Sequence, residues 1–210
     1  MVEFVPLVVS PLEQNCYLVF CPKTKETAIV DAGDEPDKII GELNRRGLVP
    51  KYLVNTHCHL DHVSAVAALQ ERLGLPFWVH PKEGPILENL RGSQSYFGFG
   101  DGRQPRPTGE LKGGMQLPLG ETFFEVIETP GHTPGGVCLK IEGELFTGDT
   151  LFAGSIGRSD LPGGNGPQLL VSIKTRLLAL DPQLKIHPGH GPSSTLGAER
   201  LSNPFLVGMA

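Results

Sequence analysis

Apolar positions open the chain in short strand-like runs. Val2-Glu3-Phe4-Val5-Pro6-Leu7-Val8-Val9, Cys16 to Phe20 and Thr27 to Val30 fit half-buried or fully buried strands. The period then changes. Asp34-Glu35-Pro36 supplies a cap and an early proline, helical spacing continues to Arg46, and Gly47 is a stop. A strand follows over Lys51 to Asn55, then a helix over Val63 to Leu73 closed by Gly74, a strand over Phe77 to His80, and a short helix around Pro85 to Leu90.

From Arg91 to Gly114 the pattern dissolves into Gly, Ser, Arg, Gln and Pro with Tyr96, Phe97 and Phe99 embedded. A stretch of that length is long for a plain connection, so it reads as an irregular excursion or a working lid. Strand signals return at Phe123 to Glu128, Val137 to Ile141 and Glu144 to Thr147, Pro167 to Leu180 reads as an amphipathic helix, and Leu184 to His187 as a last strand. Strands and helices interleaved in both halves predict a layered α/β domain, sheet inside and helices outside.

The 210 residues suit one core of ordinary size, and Gly (27) and Pro (19) together exceed a fifth of the chain, which predicts many shaped loops. A net charge of -5 argues against a nucleic-acid or anionic-membrane partner. No apolar run approaches a membrane span and Met1-Val2-Glu3-Phe4 is unlike an export signal, so a cytoplasmic location is expected. Cys16, Cys21, Cys58 and Cys138 form no C-x-x-C pair and read as reduced, buried thiols.

The chemistry concentrates in Thr56-His57-Cys58-His59-Leu60-Asp61-His62, between a strand and a helix. An unplanned match to that spacing has odds of about 3 in 10,000 over a chain of this composition. On extended backbone, residues two apart face the same side, so His57 and His59 can converge on one ion while the turn into the helix swings Asp61 and His62 towards a second. Cys58 then faces away. Three later turns look alike: Pro130-Gly131-His132-Thr133-Pro134-Gly135 and Pro188-Gly189-His190-Gly191-Pro192 each hold a histidine in stiff backbone, and Gly148-Asp149-Thr150 puts a carboxylate at a strand end.

In this order, T-H-x-H-x-D-H, G-H-T-x-G, G-D-T and G-H-G resemble the metallo-β-lactamase superfamily. Gln14-Asn15-Cys16, Val30-Asp31-Ala32-Gly33 and Gly148-Asp149-Thr150-Leu151-Phe152 add a likeness to its short, glyoxalase II-like hydrolases. The resemblance covers roughly residues 2 to 192 and implies an αββα sandwich, two mixed sheets flanked by helices, within a single domain. It implies that His57, His59 and His132 bind one ion, that Asp61, His62 and His190 bind another, and that Asp149 bridges them. It also implies catalysis through Asp61 and Asp149 with a hydroxide shared between the ions.

Imidazoles and carboxylates without thiolates suit two divalent ions, zinc first, with iron or manganese as alternatives. A thioester suits such a site because its thiol leaving group, with pKa about 8.5, departs without a strong acid, so the expected partner is a small acyl-thiol. Only twenty residues follow His190, so the C-terminal helical substrate domain of glutathione-specific relatives is not expected. Arg158, in Gly157-Arg158-Ser159-Asp160, is the candidate for an anionic substrate group, against an ion pair with Asp160. His80 and His187 are candidates for orienting a ligand. Competing readings are a one-iron persulfide dioxygenase using His57, His132 and Asp149, a nuclease, which a net charge of -5 disfavours, and a non-enzymatic metal-stabilised module.

Overall fold

β1 (Glu3–Val9) and β2 (Gln14–Phe20) form an antiparallel hairpin, and β3 (Glu26–Val30) extends it antiparallel to β2. A crossover through α1 (Pro36–Arg46) returns β4 (Val49–Val54) parallel to β3. α1 begins with Pro36 in its first turn, buries Ile39 and Leu43, and closes on Gly47 in the left-handed region (φ 63). The computed structural model describes residues 1–98 and 101–208, so Phe99 of the irregular segment lies outside the described residues.

After β4 come α2 (Leu60–Val63), α3 (Val66–Leu73), β5 (Phe77–Val79), a 3₁₀ turn at Pro81–Glu83, α4 (Gly84–Glu88) and α5 (Leu90–Phe97). β6 (Gly109–Glu110) pairs parallel to β5 and completes a six-stranded sheet in the order β1-β2-β3-β4-β5-β6. A second sheet begins with the antiparallel run β7 (Gln116–Leu119), β8 (Thr122–Glu128), β9 (Val137–Ile141) and β10 (Glu144–Gly148). The ribbon β11 (Leu151–Phe152) and β12 (Ser155–Ile156) and helix α6 (Gly166–Ser172) follow, α6 running on as a π-helical turn over Ile173–Leu177. β13 (Lys185–Pro188) lies parallel to β10, β14 (Ser194–Thr195) closes the order β14-β13-β10-β9-β8-β7, and α7 (Leu196–Ser202) ends the regular structure.

The two-residue period of β2 shows how the layers stack. Tyr17 and Val19 enter a core shared with Phe124, Leu139 and Phe146 of the second sheet, whereas Leu18 and Phe20 enter a core with Ile39 of α1 and Leu69 of α3. A third core joins Cys138, Leu145 and Ile186 to Leu169 of α6 and to Ile173 and Leu177. Each sheet is thus covered by helices outside and by the other sheet inside, the expected αββα sandwich. Because both faces of β2 are covered, all seven of its residues are buried. No helix among the described residues is long and apolar enough to cross a membrane.

Several elements depart from the sequence-based expectation, among them the short strands β6, β11, β12 and β14 and helix α7, none of which was expected. The helix expected over Val63 to Leu73 is broken after Val63, where Ala65 N donates to Ala32 O and the chain restarts at Val66. The irregular segment opens with α5, whose Leu90 and Gln94 are buried and whose Gln94 Nε2 donates to Ser64 Oγ. Its later part is tied to α3 and α4: Arg103 pairs with Glu71 and with its neighbour Asp101, Gln70 bonds the backbone of Arg106 in both directions, and Gln104 Nε2 donates to Leu87 O of α4. It is anchored backbone. β7 was not expected at all.

Candidate metal centre

The seven residues singled out in the sequence meet where the carboxyl ends of β4, β8, β10 and β13 open between the sheets. His57 and His59 lie in the loop after β4, Asp61 and His62 in α2, His132 in the turn between β8 and β9, Asp149 just after β10, and His190 just after β13. Asn55, at the end of β4, shapes the first loop by donating through Nδ2 to the carbonyls of both His57 and His62.

Two groups of side-chain atoms converge on the opening, and a third set, Asp31 with His57 and His62, is fully buried and overlaps both. In the first, His132 Nε2 lies 2.9 Å from His59 Nδ1 and 3.3 Å from His57 Nε2. In the second, Asp61 Oδ2 lies 3.1 Å from His190 Nε2 and 3.8 Å from His62 Nε2. Asp149 stands between them, with Oδ1 3.3 Å from His62 Nε2 and Oδ2 3.6 Å from His132 Nε2 and 3.8 Å from His190 Nε2. In each group the ligand-type atoms lie within 4.8 Å of one another.

The hydrogen bonds behind the imidazoles assign their tautomers. Thr56 Oγ1 donates to Asp31 Oδ2 at 2.7 Å, so it accepts from His57 Nδ1 at 3.1 Å. His62 Nδ1 donates to Asp31 Oδ2, His132 Nδ1 to Arg158 O at 2.7 Å, and His190 Nδ1 to Leu12 O. In all four rings Nε2 is left facing the centre. Gly157 is needed for the His132 contact, since a Cβ there would lie 1.8 Å from Asp149 O and 3.2 Å from His132 Nδ1.

Electrostatics complete the picture. Burial pushes His57 well below its ordinary value, with the neighbouring histidines adding to the effect; His59 falls to about 4, first through burial and then through His132, and burial lowers His132. These rings are neutral, the form that binds metal. Burial also opposes charge on His62, but Asp149 and Asp61 outweigh it and hold this ring protonated; in return His62 overrides burial to keep both carboxylates ionised. A positive charge therefore belongs between these carboxylates even without metal.

His62 Nε2 and Asp149 Oδ1 are buried, face each other at 3.3 Å, and have no further hydrogen-bond partner among the described residues. Such orphans are costly, and a divalent cation between them satisfies both. The donor set of imidazoles and carboxylates fits that role, whereas a thiolate does not enter it. Cys58 is fully buried with its thiol pushed up by burial, and takes no part in either group.

The other candidates lie apart from the centre. The Arg158 guanidinium makes a two-pronged pair with Asp160, both contacts 2.8 Å and both side chains exposed; it is the Arg158 carbonyl that reaches His132. His80 faces Glu128 at 3.4 Å, and His187 lies between Glu144 and Ser193. Sequence reasoning missed the roles of Asp31, Asn15 and Tyr17. Asn15 Nδ2 donates to Pro188 O and Gly191 O, and Tyr17 Oη to Pro188 O, so β2 clasps the turn that carries His190. Asn15 and Asp31 stood in the motifs Gln14-Asn15-Cys16 and Val30-Asp31-Ala32-Gly33, but their partners did not follow from the sequence, and Tyr17 carried no signal beyond its place in an apolar strand.

Comparison with known proteins agrees with the geometry. The family model for the Metallo-beta-lactamase superfamily matches residues 9–190. Hydroxyacylglutathione hydrolase GloC of Haemophilus influenzae is 38% identical over 215 residues, covering 98% of this chain and 97% of its own. Among solved structures, TTHA1623 in a di-iron-bound form is 41% identical with a TM-score of 0.88, covering 96% of this chain and 100% of that one. BLEG-1 B3 metallo-β-lactamase is 36% identical, also with a TM-score of 0.88, covering 98% and 100%. With the family's pattern running from β1 through the His190 turn, this chain belongs to the metallo-β-lactamase superfamily.

Proposed function

We propose that this protein is a two-metal hydrolase of acyl-thiols, of the hydroxyacylglutathione hydrolase kind. The observation that carries the proposal is Asp149, whose two oxygens face both groups of converging atoms while Oδ1 and the opposing His62 Nε2 lack any other partner. His57, His59 and His132 would hold one cation, Asp61, His62 and His190 the other, and Asp149 both. When bound, two divalent cations supply an acidified water as nucleophile and positive charge for the developing oxyanion.

The chain's own residues do the rest. Asp31, Thr56, Leu12 O and Arg158 O hold the rings of His57, His62, His132 and His190 in one tautomer and one orientation, so most of the centre is assembled before substrate arrives. Asp61 and Asp149 stay ionised at neutral pH, so both offer negative oxygens to the cations. A thiolate with pKa about 8.5 leaves without protonation, so no separate acid is needed for a thioester. The relatives support this reading: GloC is a hydroxyacylglutathione hydrolase, and the di-iron form of TTHA1623 supports a two-ion centre, with iron standing beside zinc and manganese as its metal.

Metal analysis followed by hydrolysis of S-D-lactoylglutathione and other acyl-thiols tests the proposal. Two ions per chain and thioesterase activity that collapses in Asp61→Ala and Asp149→Ala are expected. Full activity in both variants would sink it. One iron per chain with oxygen uptake on glutathione persulfide would instead establish the dioxygenase.

A further inference from the structure

Glu83 belongs to neither group of converging atoms, yet it is completely buried, at the end of the 3₁₀ turn after β5. Its Oε2 accepts from Cys58 N at 2.8 Å, and its Oε1 accepts from Gly135 N at 2.8 Å. Cys58 lies between His57 and His59, and Gly135 closes the turn that presents His132. The first loop leaves one sheet and the second joins two strands of the other, so a single carboxylate spans the boundary between the sheets at the level of the first group.

This link needs a carboxylate. Two backbone N–H donors require two acceptor oxygens, and an amide of the same shape offers one acceptor and turns a donor towards the other N–H. It also needs a glycine at 135, where a Cβ would lie 2.8 Å from Glu83 Oε1 and 2.9 Å from His80 Nδ1. The three imidazoles of the first group come from both loops, His57 and His59 from one and His132 from the other, and His132 Nε2 lies within 3.3 Å of a ring nitrogen of each of the others. Their spacing therefore depends on how the loops are held relative to each other.

We propose that Glu83 is a positioning residue for the His57, His59 and His132 group, fixing the register of its two loops so that the three imidazoles grip one cation. The inference rests on the reading of that group as a metal site. Glu83 acts on the first group alone: the second group takes Asp61 and His62 from α2 and His190 from the turn after β13, and Glu83 makes no hydrogen bond to α2 or to that turn.

The test is a zinc titration in competition with a chromophoric chelator, in two backgrounds. His190→Ala removes an imidazole from the second group, so the remaining tight site reports the first; His132→Ala does the reverse. Glu83→Gln is expected to weaken zinc binding about 10- to 100-fold in the His190→Ala background, the usual loss for a residue that orients ligands. In the His132→Ala background it is expected to leave the remaining affinity unchanged. Gly135→Ala, which leaves Glu83 in place but crowds its carboxylate, is expected to reproduce the selective loss.

Melting of the metal-free variants separates positioning from simple support of the fold. Equal losses in both backgrounds, or a lowered melting temperature with zinc affinity unchanged, would overturn the inference and leave the proposed function standing. Wild-type protein that takes up no zinc, iron or manganese would overturn both.

Discussion

Asp31 carries more of the centre than its position suggests. It sits in the left-handed region (φ 53) at the end of β3, where its Oδ1 accepts from Thr56 N and its Oδ2 from both Thr56 Oγ1 and His62 Nδ1. An asparagine tolerates that backbone, but its amide would turn a donor towards His62 Nδ1 and force this ring to the opposite tautomer, taking the lone pair of Nε2 out of the centre. Asp31→Asn is therefore expected to lower metal affinity about 10- to 100-fold and metal-free stability by about 1–3 kcal/mol. Metal titration and denaturant melts of the same variant measure the two effects, and unchanged affinity would mean that the His62 orientation is set elsewhere. The residues of the two converging groups were legible in the sequence because their spacing is rare. Asp31 was marked only as part of the motif Val30-Asp31-Ala32-Gly33, and its role was not legible, because its partners Thr56 and His62 lie 25 and 31 positions away.

The elements differ in how local their causes are. α1 was expected within about two residues, since its proline, apolar spacing and closing glycine all lie within the helix and its flanks. Its charge pattern is local as well: Glu42 accepts from Arg45 three residues on and from Arg46 four residues on, which brings its carboxyl down from 4.5 to about 2, chiefly through the Arg45 hydrogen bonds and then those of Arg46. A carboxyl depressed in the folded state stabilises above its unfolded value and loses that contribution as pH falls through the folded one. Glu42→Gln is thus expected to melt below wild type at neutral pH, the difference shrinking from pH 4.5 downward and vanishing near pH 2. A difference constant across that range would count against the ion pairs. β7 and α5, by contrast, have causes outside themselves. Gln116-Leu117-Pro118-Leu119 forms a strand because it lies at a sheet edge, where proline is tolerated, and buries Leu117 and Leu119 in the core between the sheets. α5 holds Gly92 and two serines, poor helix formers, and is kept by burial of Leu90 and by Gln94 against Ser64.

At the scale of the whole molecule the centre joins the two halves of the sandwich, since each group draws ligands from loops of both sheets. Bound cations would therefore oppose the separation of the sheets. A metal present at about 1,000 times its Kd adds about 4 kcal/mol of stability, and a domain of this size melts roughly 2–4 °C higher per kcal/mol. Chelation is expected to lower the melting temperature by on the order of 10 °C, with recovery on adding metal back, as read by calorimetry; a melting temperature indifferent to chelator would contradict the two-ion reading. By itself, the sequence singled out the seven residues that converge and the layers that the strands and helices form, because histidine and aspartate spacing, apolar period and glycine-proline turns are properties of neighbouring residues. Only the tertiary structure decided that Asp149 faces both groups, that Asp31 bonds Thr56 and His62 while Glu83 bonds the backbone of Cys58 and Gly135, and that the segment after Arg91 is anchored to α3 and α4. Those facts depend on hydrogen bonds between residues that are mostly 25 or more positions apart in the chain, joined through chain crossovers that no local pattern encodes.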